Sequence, residues 1–400
     1  MFACWTAPSK DKVKESMEGL LQFLQMTAHI SGAHTVEFYT EDIWKNNVGV
    51  SPESVLSMFS QQQLSHCEFR DVPDMTRIFS PATNQLVNLE SFVEAARYNS
   101  LMNSGLCTTI DEILESFASQ RTDKLGKGMK TDQFMNDKKS HEVVIMAQLV
   151  EALAKVCGVK QESIMVGLHT CGDLAPNTLR IFISKPEMKA VCSVGCCYHF
   201  LSEQFEHLEE DPTEGLWGFP MSQYLKERCW HIGRNARMSA CLALERVAVG
   251  QGLPTESLFY RAVLQVICKE VFGITQRSYS LVPQSKNILQ IDQRVGKIFS
   301  KSSSFTDYVR KSLKKFGQDD SRLSDQEIMG YYQKYELRRN ELEAFNRLKV
   351  FLAPCIEALI LLDRLGYLRE QENLAWSGLV KLFDPVKSPR CYAVVSLKQP

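Results

Sequence analysis

The sequence predicts an α/β fold with a largely helical N-terminal part. Three observations carry this. Ser163 to Leu168 and Ala190 to Val194 are short continuous apolar runs on either side of a helical stretch, the pattern of a βαβ unit whose strands are buried on both faces. Near the C-terminus a long helical pattern from Glu341 to about Gln371 precedes two strand patterns, Leu379 to Phe383 and Tyr392 to Leu397. Residues 1–130 instead repeat helical periods separated by polar turns and read as all-helical.

Taken in order, Asp11 to Ile30 sets Val13, Met17, Leu20, Leu21, Leu24 and Ile30 on one helical face. Shorter helices are expected over Thr40 to Asn46, Ser51 to Phe59, Ser65 to Asp71 and Asn88 to Ser100. Ser51 would cap the second of these, with Pro52 at the first helical position. Ser119 to Lys139 turns polar and basic, with Arg121, Lys124, Lys127, Lys130, Lys138 and Lys139, and marks a domain boundary. The expected domains are therefore residues 1–130, helical, and residues 131–400, α/β with a helical insertion over about 201–340. In the second, a helix from Lys139 to Cys157 stops at Gly158. The first strand, a helix from Pro176 to Ser184 and the second strand follow, their crossover making the strands parallel and adjacent. Helices over Met238 to Val249, Leu258 to Phe272 and Phe305 to Phe316 fill the insertion, with a polar hinge at Ser300 to Ser304.

The 400 residues are 44% apolar and 23% charged, which excludes wholesale disorder, a collagen repeat and a disulfide miniprotein. With 46 basic against 47 acidic residues, no global field draws the chain to nucleic acid or anionic lipid. Thirteen cysteines, an odd number, and an opening Met1-Phe2-Ala3-Cys4-Trp5 without a charged start and apolar run point to a reducing compartment, cytoplasm or nucleus. The longest apolar run, Val350 to Leu362, contains Pro354 and Glu357 and falls short of the roughly 18 residues of a bilayer span, so no membrane partner is expected.

Chemistry-bearing residues concentrate after the two strands of the βαβ unit: His169-Thr170-Cys171-Gly172-Asp173 after the first, Gly195-Cys196-Cys197-Tyr198-His199 after the second. Ligands of open parallel sheets sit beyond the carboxyl ends of the strands. Neighbouring strands lie about 4.8 Å apart, so the two clusters should converge. Three readings compete. A zinc site has the residue types, but H-x-C and C-C-x-H are not the usual C-x₂₋₄-C pairs. An active centre would use His or Asp as proton acceptor, with cysteines lining the pocket. Tightly packed strand ends built from small Cys and Gly, with satisfied histidines, form the third reading, which composition favours.

Gly126-Lys127-Gly128 lacks a preceding strand, and Gly250-Gln251-Gly252 marks a helix end; neither reads as a phosphate cradle. Two basic patches, Lys124 to Lys139 and Arg310, Lys311, Lys314 and Lys315 with Phe305, Tyr308 and Phe316, read first as solvated faces and second as phosphate-contacting surfaces.

Several stretches resemble the methyltransferase-like protein 25 family: Lys138-Lys139-Ser140-His141-Glu142, Val166-Gly167-Leu168-His169-Thr170-Cys171-Gly172-Asp173-Leu174 and Cys196-Cys197-Tyr198-His199. Leu359 to Leu368 and Leu382-Phe383-Asp384-Pro385-Val386-Lys387-Ser388-Pro389-Arg390 agree as well. The resemblance implies a Rossmann-like class I methyltransferase sheet ending in an antiparallel hairpin. It further implies S-adenosylmethionine as cofactor and methyl transfer to a macromolecule, RNA or protein. A weaker likeness to tRNA ribose methyltransferases makes RNA a conceivable substrate. On this reading Asp173, His169 and then His199 orient the acceptor or take its proton, Cys171, Gly172, Cys196 and Cys197 line the pocket, and no metal is bound. The family's first strand ends in a D-x-G-x-G-x-G loop, and neither that loop nor the acidic residue of the next strand is found here. Three βα units of roughly 30 residues each are missing between Cys157 and Ser163. The chain thus resembles a shortened family member, an alternative splice product or an erroneous gene model, with an incomplete sheet and an uncovered edge where the missing strand would pair. The opposing expectation is a catalytically inactive interaction protein working through its helical N-terminal half.

Overall fold

Strands β1 (Cys107–Thr109), β2 (Ser163–Cys171), β3 (Met188–Cys196), β4 (Leu374–Lys381) and β5 (Tyr392–Lys398) form one sheet in the order β1-β4-β5-β3-β2 in the computed structural model. The residues it describes are 8–61, 72–118, 136–158, 163–206, 215–274 and 296–399. β2 and β3 run parallel, joined by the helix Leu174–Ser184, and β5 is antiparallel to both β3 and β4. This is the expected α/β, Rossmann-like sheet with its closing hairpin. Its incompleteness is visible at β2, which stands at the edge: among the described residues no strand pairs with its outer side. Ser163, Val166, His169 and Cys171 are exposed there, Val166 at 43%.

β1 corrects the all-helical reading of residues 1–130. Its three residues pair parallel with β4, Cys107 opposite Leu379 and Thr109 opposite Lys381. A Cys-Thr-Thr segment is too short to show alternation, and it leads directly into the helix Ile110–Ala118, also unforeseen.

Alternate strand residues face two different cores, because successive side chains of a strand point to opposite sides. Val191, Leu379 and Val394 face the larger core, and Ala190, Cys192, Val380 and Val395 the smaller one beneath the helix Asp137–Cys157. The larger core is organised by the helix Arg339–Arg369, apolar around most of its circumference. The helices Lys10–Met26, Pro52–Gln61 and Leu89–Tyr98 pack on it, and it also contacts β4 and β5. A helix covered on all sides has no need of a polar face. No helix of the described residues is long and apolar enough to cross a membrane.

Most element boundaries agree with the sequence reading to within a few residues. The Asp11 to Ile30 helix breaks at Thr27, whose hydroxyl donates to Phe23 O (2.9 Å). The Met238 to Val249 helix is two short ones, Arg234–Ser239 and Leu244–Ala248. The carbonyls of Ala240 and Cys241, which would have continued it, accept instead from the Arg390 guanidinium. Asp325–Glu336 is a helix that the sequence reading does not name, although Ser324 and Glu327 form a capping box. The Ser65 to Asp71 helix, Gly126-Lys127-Gly128 and most of the Lys124 to Lys139 patch lie outside the described residues. In the second basic patch Arg310 pairs with Asp325 (2.5 Å) and Lys311 with Asp307 (2.8 Å), while Phe305 and Tyr308 are buried.

Candidate functional site

The register of the parallel pair sets Thr170 opposite Gly195 and Cys171 opposite Cys196, so the two cluster-bearing tips stand side by side. Gly172 N donates to Cys196 O (3.1 Å) and ties them together. Gly172 has φ +50°, and a Cβ there would meet Phe200 Cβ and O at 2.7 Å, so the turn demands glycine.

Asp173 precedes the helix Leu174–Ser184, and its Oδ1 accepts from Ser202 N (2.8 Å). Ser202 Oγ accepts in turn from Gly218 N (2.8 Å), and a Cβ on Gly218 would lie 2.0 Å from Asp173 Oδ1. The carboxylate thus fastens the loop after β3 to the tip of β2.

His169 is exposed on β2, its Nε2 3.6 Å from Glu142 Oε2. Glu142 is buried, and its Oε1 accepts from Ser388 Oγ (2.6 Å). The pair joins an accessible imidazole to an oriented carboxylate, the arrangement a general base needs. Sequence reasoning did not connect Glu142 or Ser388 with the site, although both lie in the stretches quoted for the resemblance; they are far apart along the chain.

His199 is half-buried, with Nδ1 3.4 Å from Cys241 Sγ and its ring centroid 4.1 Å from that of Phe200. Burial lowers its pKa below the usual imidazole value, reinforced by Arg234, Arg237 and Arg390. Its neighbour Tyr198 is fully buried: the phenol donates to Glu357 Oε1 (2.8 Å), and the guanidinium carbons of Arg390 and Arg364 lie 5.6 and 5.7 Å from the ring centroid. Tyr198 therefore anchors the β3 tip to the long helix.

The sulfur atoms of Cys171, Cys196 and Cys197 lie within 4.8 Å of one another, Cys171 and Cys196 at 3.0 Å. Burial raises the thiol pKa of Cys196 and of Cys197, and the neighbouring Cys171 thiol adds to both shifts.

A family model described as a methyltransferase domain matches residues 110–204. The chain is 36% identical to the probable methyltransferase-like protein 25 of Homo sapiens, with 98% of each chain covered, and 35% identical to that of Mus musculus, again with 98% of each. The human alignment runs over 605 positions, 205 more than the 400 residues of this chain, so at least that many positions face a gap in it. No solved structure gives a significant match.

Proposed function

The chain belongs to the methyltransferase-like protein 25 family, and from that premise we propose that its β2–β3 rim is the acceptor side of an S-adenosylmethionine-dependent methyltransferase acting on a macromolecule, RNA or protein. One observation carries this reading: the tips of two adjacent parallel strands bring Cys171, Gly172, Asp173, Cys196 and Cys197 together where open α/β sheets bind ligands. His169, backed by Glu142, is the group to take the acceptor's proton. Asp173 holds the loop that borders the acceptor, and His199 lines its far side. Cys171, Gly172, Cys196 and Cys197 form the wall.

The residues present do not fit the donor. The sequence has no D-x-G-x-G-x-G loop, and among the described residues no strand stands beyond β2 to carry one. The same open edge favours a second reading, in which the 400-residue chain is an inactive interaction protein. Among the described residues no cysteine is joined in a disulfide, in keeping with the cytoplasm or nucleus as its place.

Two measurements test this. S-adenosylmethionine should leave the melting temperature of this chain unchanged; a rise would reveal a cofactor cradle and overturn the donor-less reading. In a chimera carrying the extra segment of the human relative, labelled methyl should enter RNA or protein, and His169→Gln should slow it by roughly a hundredfold or more. Transfer undiminished by that change would remove His169 from the chemistry.

A further inference from the structure

We propose that Cys171, Cys196 and Cys197 form a binding site for a thiophilic metal ion of the zinc class, with the fourth coordination position open to solvent. Geometry alone points to the ion, whatever the methyl-transfer activity of the rim. Cys171 and Cys196 are registered partners on adjacent parallel strands, so their side chains leave the sheet on the same side. Cys197, the next residue, would point away if the strand continued. Instead it has φ +51°, a left-handed conformation rare outside glycine, and this turn returns its sulfur to the other two. Backbone strain is thus spent on gathering a third thiol.

The spacing suits the ion. Thiolates bound to tetrahedral zinc at about 2.3 Å stand about 3.8 Å from each other, and the three sulfurs here lie within 4.8 Å of one another, with Cys171 and Cys196 at 3.0 Å. Soft sulfur donors select zinc or copper(I) over magnesium or calcium. Cys196 is buried, Cys197 half-buried and Cys171 exposed, so the cluster opens on the rim, as a three-ligand site with a free position does. Binding would release the thiol protons to solvent and place three thiolate charges against the dication. The H-x-C and C-C-x-H spacings conceal such a site because its ligands are neighbours across strands.

The test uses the full, untagged chain purified under reducing conditions. Elemental analysis after zinc loading and desalting should give about one zinc per chain, falling near zero in Cys171→Ser and in Cys197→Ser, and staying near one in Cys229→Ser, an exposed cysteine elsewhere. Cobalt(II) substitution should give thiolate-to-metal absorption that weakens with each of the first two changes. Because Cys171 is exposed, its serine variant should keep the wild-type circular dichroism, so metal loss is not unfolding. Equal metal content in wild type and the Cys171→Ser variant would overturn the site. So would thiol counting that finds Cys171 and Cys196 joined in a disulfide with no metal retained.

Discussion

Replacing Tyr198 with Phe isolates one hydrogen bond at the base of the candidate site. The shape of the side chain is kept, so no cavity forms, and the one loss is the O–H that donates to Glu357 Oε1 at 2.8 Å. Both groups are buried, and burial pushes the Glu357 carboxyl up, opposed by Arg390 whose Nη1 lies 3.4 Å away. A hydrogen bond to a charged group contributes about 1.5–3 kcal/mol. Glu357 keeps Arg390 as partner, so the expected loss is about 2 kcal/mol. Glu357→Gln weakens the same bond from the other side, and the double variant should be more stable than the summed single effects imply by about 1–2 kcal/mol. Urea unfolding near neutral pH, with unchanged denaturant slope, measures the cycle. A coupling energy below about 0.5 kcal/mol would refute the claim that phenol and carboxylate support each other.

Asp173→Ala should cost about 1–3 kcal/mol by orphaning Ser202 N–H, whereas Asp173→Asn keeps an acceptor there and should cost less; equal losses in urea unfolding would show that the tether is not what the carboxylate supplies. Lys349 is buried with its ammonium on Ala33 O (2.7 Å), and burial pushes its pKa down to about 8. The unfolded chain then binds the extra proton between about pH 8 and its own value near 10.4, so stability rises with pH across that window, by about 3 kcal/mol. Lys349→Met lacks this rise, and its stability relative to wild type should shrink by that amount from near pH 7.5 to near pH 10.5. A pH-independent difference in urea unfolding would contradict it.

The βαβ unit and closing hairpin are legible because their strands read as apolar runs, and the long helix because its period persists for many turns. β2, at the open edge, is nonetheless largely exposed or half-buried and not buried on both faces as its run predicts. Less was legible where a distant residue decides. Arg390 takes the Ala240 and Cys241 carbonyls and so divides a helix whose local pattern is continuous. β1 is held by the edge that β4 offers it; the threonines of Cys107-Thr108-Thr109 favour extension, but three residues are too few to read as a strand. At the site, the convergence of the two tips followed from the parallel pairing, but the fine geometry did not. Glu142 behind His169, the Asp173 bond to Ser202 and the burial of Tyr198 against Glu357 all join residues from different elements. The lack of a D-x-G-x-G-x-G loop is legible in the sequence itself, and among the described residues no strand pairs with the outer side of β2.

The helix Arg339–Arg369 also dictates when this chain is able to fold. The helices Lys10–Met26, Pro52–Gln61 and Leu89–Tyr98 close against it, yet the ribosome makes it some 300 residues later. At about 5–20 residues per second, the greasy face of Val13, Met17 and Leu20 waits for roughly 15–70 seconds after its own synthesis. Until that helix emerges, nascent copies of this protein carry their apolar faces without the helix that covers them in the finished fold, and a ribosome stalled before Arg339 leaves behind a fragment that lacks it.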